Sequence, residues 1–252
     1  MNELPKATGR FPKSHQPLLI DLMRVLQALR ENTRDPSAFP TTKDPLAFYN
    51  RYIEFAIALY LSKFRQLYEA LAASVEAEQY LLYAATGRAI IENAATLRYY
   101  SFHPDLLALQ AAWGTPQMSD QVLRCATNTL DTLVRGNRFT WEAFVAHRFD
   151  ELASSPDGDT PNQIKVGTCL DKWYKVHPPM RALYALFCDL VHPNLGSNFL
   201  TLRVGGGELL AGGEQGQYAC DFIILPTLAG ILGIYSEVEA AGLRLEGLGL
   251  TP

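Results

Sequence analysis

Cysteine is scarce: four in 252 residues, Cys125, Cys169, Cys188 and Cys220, with no C-x-x-C pair among them. That spacing excludes zinc-ribbon and thioredoxin-like sites, and the apolar or helical neighbours of each suit reduced, buried thiols. Charge is sparse as well. Charged residues form 19% of the chain and the net charge is −4, which excludes a disordered or strongly basic composition. RNA as a ligand would therefore need a local basic patch. No apolar run is long enough to span a bilayer: FIILPTLAGILGIYS, residues 222–236, falls short of the ~20 residues required and contains Pro226. The first residues, MNELPKATGRFPKSHQP, lack the apolar core of a signal peptide. The expectation is a soluble, cytoplasmic protein with no membrane partner. Neither a G-x-S-x-G elbow nor a phosphate loop is present, since Gly205–Gly207 is not followed by Gly-Lys-Ser/Thr, and no metal-ligand spacing occurs. No cofactor and no metal are implied.

What the chain has is helical periodicity. After a loosely ordered segment, 1–14, Pro17 opens a run in which Leu18, Leu22, Val25 and Leu29 share a face. Asp44-Pro45 is a helix start, a capping residue followed by proline in the first turn. Beyond it, Phe48, Tyr52, Phe55 and Leu59 form one stripe and Tyr49, Ile53, Ala56 and Tyr60 another, to about residue 72. Ser74 is read as the start of a second long helix, ending near His103-Pro104. Residues 104–136 read as helix broken at WGTP, 113–116, followed by a short helix at 140–152 and a loop at 154–162. Helices at 163–176 and 180–191 come next. FLTLRV, GGG and ELLAGG then suggest a small hairpin or Gly-rich excursion before a last helix, 218–241. The expected fold is all-α, a single-domain bundle over 1–252 with seven or eight helices.

FCDLVHPNLGSN, residues 187–198, places His192 at the end of an apolar helix. Asp189 lies three residues before it on nearly the same side, and Pro193 ends the helix. Asn194 and Ser197 add hydrogen-bonding groups. A histidine here is either part of an active site or a favourable helix terminator. Arg88-x-x-x-Glu92 sets two charges one turn apart on an otherwise apolar helix, as a structural ion pair or as part of that site. Asp189 or His192 is a further expected partner for Arg88. The geometry predicts His192 in a crevice within reach of the Arg88–Glu92 helix.

Arg88, Glu92, His192, Pro193 and Asn194, in their helix order over about residues 45–240, resemble the HEPN-like superfamily, in particular its poorly characterised bacterial branch with a V-H-P-(N/S) box. The resemblance implies a helical bundle, often a homodimer or bound to a partner protein. It also implies an effector acting on RNA or a nucleotide, for example a metal-independent endoribonuclease of defence or toxin–antitoxin systems. His192 would transfer a proton and Arg88 would hold phosphate, with Glu92, Asp189, Asn194 and Ser197 in support. The family's usual arginine, separated from the histidine by four to six residues, is missing: Ala185, Leu186 and Phe187 stand there. Arg181 is eleven residues away, ~16 Å along the helix axis. The alternative is a non-catalytic HEPN-derived interaction module or a degenerate partner subunit.

One basic tract interleaves Arg124, Arg135, Arg138, His147 and Arg148 with Phe139, Trp141 and Phe144, as an RNA groove would. Asp131 and Glu142 interrupt it, as on the solvated face of an amphipathic helix.

Overall fold

The computed structural model describes residues 4–32, 38–136, 145–148, 163–205, 207–211 and 223–250. The fold is all-α. Among the described residues the helices are α1 (Pro5–Thr8), α2 (Gln16–Glu31), α3 (Pro45–Glu76), α4 (Tyr80–Ser101), α5 (Pro104–Ala112), α6 (Asp120–Arg135), α7 (Val166–Tyr174), α8 (Pro179–Val191), α9 (Leu195–Phe199) and α10 (Leu225–Glu246). Between α9 and α10 an antiparallel hairpin pairs β1 (Leu202–Gly205) with β2 (Glu208–Ala211), in the register Leu202↔Ala211 to Gly205↔Glu208. Gly207 takes φ +82° in its tight turn, a conformation that glycine adopts without strain. The expected helix at 140–152 and loop at 154–162 lie outside the described residues, apart from 145–148. Residues 218–222, the expected start of the last helix, lie outside them too.

Two compact units can be distinguished. The first comprises Met1–Asp35, Tyr60–Ala94 and Trp173–Glu239. Its core takes Leu19, Leu22, Val25, Leu26 and Leu29 from α2, and Phe64, Tyr68 and Leu71 from α3. Tyr68 donates to the carbonyl of Ile231 on α10 at 2.8 Å, and the Tyr83 and Thr227 hydroxyls share a 3.0 Å hydrogen bond. The N-terminal segment also docks here: Ala7 and Phe11 are buried, while Arg10 Nη2 donates to the carbonyls of Val75 and Glu76 at 3.0 Å each. An arginine thus satisfies the orphan carbonyls at the end of α3.

The α3–α4 connection differs from the sequence reading. Ser74 does not begin α4. Its buried hydroxyl donates back to the Leu71 carbonyl at 2.7 Å, α3 continues to Glu76, and the chain turns at Glu78 with φ +59°.

The second unit comprises Pro36–Leu59, Ala95–Lys172 and Ala240–Pro252. Asp44 caps α3, its Oδ1 accepting from the Leu46 and Ala47 amides at 2.9 and 3.2 Å. Tyr49, Ile53 and Ala56 are fully or nearly fully buried, as their stripe requires. Within the neighbouring stripe, Phe48, Tyr52 and Phe55 each make a T-shaped contact with Phe39, with ring centroids 6.5, 5.3 and 5.6 Å away. Asn50 pins the end of the chain through reciprocal bonds with the Leu250 backbone at 2.7 and 2.8 Å.

Candidate functional site

All six residues singled out in the sequence lie in the first unit, on α4, α8 and α9. One face of α4 is apolar and buried, through Tyr83, Ala84, Ile90, Ile91 and Ala94. Gly87 belongs to it because the ring of Phe187 on α8 fills the space a side chain would need: a Cβ there would stand 2.3 Å from Phe187 Cε1. Tyr83 also contacts that ring, with centroids 6.0 Å apart. At the edge of this seam Arg88 and Glu92 are half-buried, with side chains 30% and 28% exposed. Arg88 Nε donates to Glu92 Oε1 at 2.8 Å, and the Tyr184 hydroxyl of α8 donates to the same oxygen at 2.8 Å. The guanidinium carbon of Arg88 lies 5.8 Å from the centre of the Tyr184 ring. Burial, and then the hydrogen bond to Glu92, push the Tyr184 phenol well above its ordinary value. The hydrogen bond to Glu92 raises the Arg88 pKa further, against the opposing effect of burial.

Ascending α8 from Tyr184 to Phe187 means descending α4 from Glu92 to Tyr83, so these segments run antiparallel. Tyr184, Cys188 and His192 stand at four-residue intervals along α8, and Cys188 lies close enough to Arg88 to act on its charge. His192 therefore sits one turn, ~6 Å along the axis, beyond the level of Arg88.

The other predicted residues build the corner between α8 and α9. His192 ends α8 with ψ 149°, the extended geometry that a following proline imposes, while its amide still donates to the Cys188 carbonyl at 3.0 Å. Asn194 and Ser197 form a reciprocal capping box on α9, each side chain accepting from the other's backbone amide at 3.3 Å. Asn194 Nδ2 also donates to Asp189 Oδ1 at 2.5 Å. Gly196 is buried against that carboxylate; a Cβ would come within 2.1 Å of Asp189 Oδ2.

Two expectations are corrected here. His192 is exposed rather than held in a crevice: the chain leaves the helix at its ψ of 149°, so no further turn of α8 follows to cover it. Asp189 turns to Asn194 and Gly196, so the partner that reaches the Arg88–Glu92 pair from α8 is Tyr184. Tyr184 and Cys188 were not singled out from the sequence. The signal that could have found them is their four-residue spacing back from His192.

In the second unit, Arg135 of the basic tract is bound to Asp131 by two 2.6 Å hydrogen bonds, and the Tyr52 hydroxyl donates to the same carboxylate. Arg124 is exposed and lines an open cleft of about 450 Å³ with Pro45, Phe48, Asp120, Leu123, Thr127 and Asn128. Arg138, Phe139, Trp141 and Phe144 lie outside the described residues. Among the described residues no group of three or more His, Cys, Asp or Glu side chains could hold a metal ion, and no helix is long and apolar enough to cross a membrane. Comparison of the chain with family models, curated proteins and solved structures finds no match.

Proposed function

We propose that the chain is a HEPN-like effector acting on RNA or a nucleotide, with Arg88 as the phosphate-holding group and His192 as the proton-transfer residue. One observation carries this reading. Glu92 engages only the Nε–H of Arg88, and among the described residues neither Nη group has a partner. A guanidinium carries five N–H donors in a rigid fork, so a fixed, half-exposed arginine retains an edge suited to phosphate oxygens. The exposed His192 follows Cys188, the α8 residue nearest in level to Arg88, by one helical turn of backbone. On RNA, His192 would take the proton of a ribose 2′-OH as that oxygen bonds to phosphorus. The P–O5′ bond breaks, and the imidazolium returns the proton to the leaving 5′-oxygen. Arg88 would stabilise the charge gathering on the phosphate.

The test is cleavage of RNA in the presence of a chelator. Wild type should leave 2′,3′-cyclic phosphate ends. His192→Ala should lower the rate by about 10²–10⁴-fold, the range for loss of a general acid–base, with an unchanged melting temperature. Cleavage that survives in His192→Ala would remove this residue from the mechanism.

A second reading, a non-catalytic interaction module that pairs with itself or with another protein, draws on the exposed leucines of the same three helices: Leu81 (47%) and Leu82 (45%) on α4, Leu186 (41%) on α8 and Leu195 (66%) on α9. It predicts association in solution and no RNA cleavage by the wild type.

A further inference from the structure

We propose that Tyr184 is a positioning residue that sets the direction in which Arg88 presents its Nη edge. This rests on the reading of Arg88 as a phosphate holder and goes beyond it in naming what orients the holder. An arginine paired only with a glutamate one turn away on its own helix is loosely held, because both side chains are flexible and such a pair contributes only a few tenths of a kcal/mol. Here a second helix closes the arrangement. The phenol of Tyr184 donates at 2.8 Å to the same Glu92 oxygen that accepts from Arg88 Nε at 2.8 Å. Its ring lies 5.8 Å from the guanidinium carbon. The hydroxyl therefore fixes the carboxylate, the carboxylate fixes Nε, and the ring limits how far the guanidinium plane can swing. No hydrogen bond from either Nη group is found among the described residues, so both keep donors for a ligand.

Tyr184 is itself held in place. Phe187, three residues later, is locked between Gly87 and Tyr83, which fixes the rotation of α8 against α4. Loss of the hydroxyl alone should therefore leave the helices where they are and release only Arg88.

The experiment follows the Arg88 Nε–H signal by proton–nitrogen NMR, assigned by its disappearance in Arg88→Lys, during titration with inorganic phosphate. In wild type the signal should exchange slowly with water and shift as phosphate binds. In Tyr184→Phe it should exchange at least about tenfold faster, and phosphate should bind about fivefold more weakly, the equivalent of one net hydrogen bond. Amide signals of α8 and the melting temperature should stay close to wild type. Unchanged Arg88 exchange in Tyr184→Phe overturns the positioning role, whatever phosphate does. A wild-type signal that never responds to phosphate overturns the underlying reading of Arg88, and the inference with it. If Tyr184→Phe disturbs α8 generally, Glu92→Gln provides the second probe. It weakens the same relay from the other side and should speed Arg88 exchange too; slow exchange in that variant would also overturn the proposal.

Discussion

Arg88 shows how much of a residue's role is decided by its degree of burial. A fully buried guanidinium stripped of its partner would cost 3–5 kcal/mol, whereas an exposed pair one turn apart contributes a few tenths. With 30% and 28% of the Arg88 and Glu92 side chains exposed, and Tyr184 sharing the carboxylate, the pair falls between these limits. We expect Arg88→Met to destabilise by about 1–2 kcal/mol, discounted for solvent screening. Glu92→Gln should cost less, and the double variant less than the sum of the two, because each single change already removes the attraction between the two charges. Chemical denaturation of the four proteins measures this. Strictly additive effects would mean that Arg88 and Glu92 do not act as a unit, and the site would lose its anchor.

At the scale of elements, the start of α5 shows a cap that depends on protonation. His103 precedes Pro104, and its Nδ1 accepts from the Asp105 amide at 3.4 Å. The ring stacks on Tyr100 (5.9 Å, 17°) and makes a T-shaped contact with Tyr99 at 5.5 Å. Burial pushes the His103 pKa down, partly offset by the Asp105 carboxylate at 3.7 Å. With a depressed folded-state pKa, the unfolded chain takes up the proton first as pH falls through the ordinary histidine value, about 6.5, so stability contributed here is present above that pH and lost below it. His103→Asn keeps a capping acceptor without a titrating group. Between pH 7 and pH 5 wild type should lose more stability than this variant; parallel melting curves would show that the cap does not titrate.

Local chemistry also decides which elements were legible in the sequence. The stripes of α2 and α3, the break at 113–116 and the hairpin turn follow from patterns written along a few neighbouring residues. Ser74 misleads because a serine hydroxyl serves equally as a cap or as a donor to its own helix, and only burial decides between them. Asn194 and Ser197 are visible as turn residues, but the capping box also needs α9, too short to leave a periodic signal. For the candidate site, the Arg88–Glu92 pair is readable because both lie on one helix. Tyr184 completes it across the seam between α4 and α8, which no spacing along a single helix records.

For the molecule as a whole, electrostatics limits how RNA could be held. The net charge is −4, and several cations are paired locally: Arg10 with Glu78, Arg24 with Asp21, Arg30 with Glu69 and Arg135 with Asp131. Long-range attraction of a polyanion is therefore weak, and binding at Arg88 should involve few phosphates. For single strands, each neutralised phosphate contributes about −0.7 to the slope of log K against log salt. We expect a slope between about −0.7 and −1.4 for single-stranded RNA, one or two contacts, and a slope shallower by about 0.7 in Arg88→Met. Fluorescence anisotropy across a salt series measures both. A slope steeper than about −3 that Arg88→Met leaves unchanged would require a broad basic surface. In this chain that means the tract carrying Arg124, Arg138 and Arg148, and it would move the nucleic-acid interface away from the α4–α8 seam.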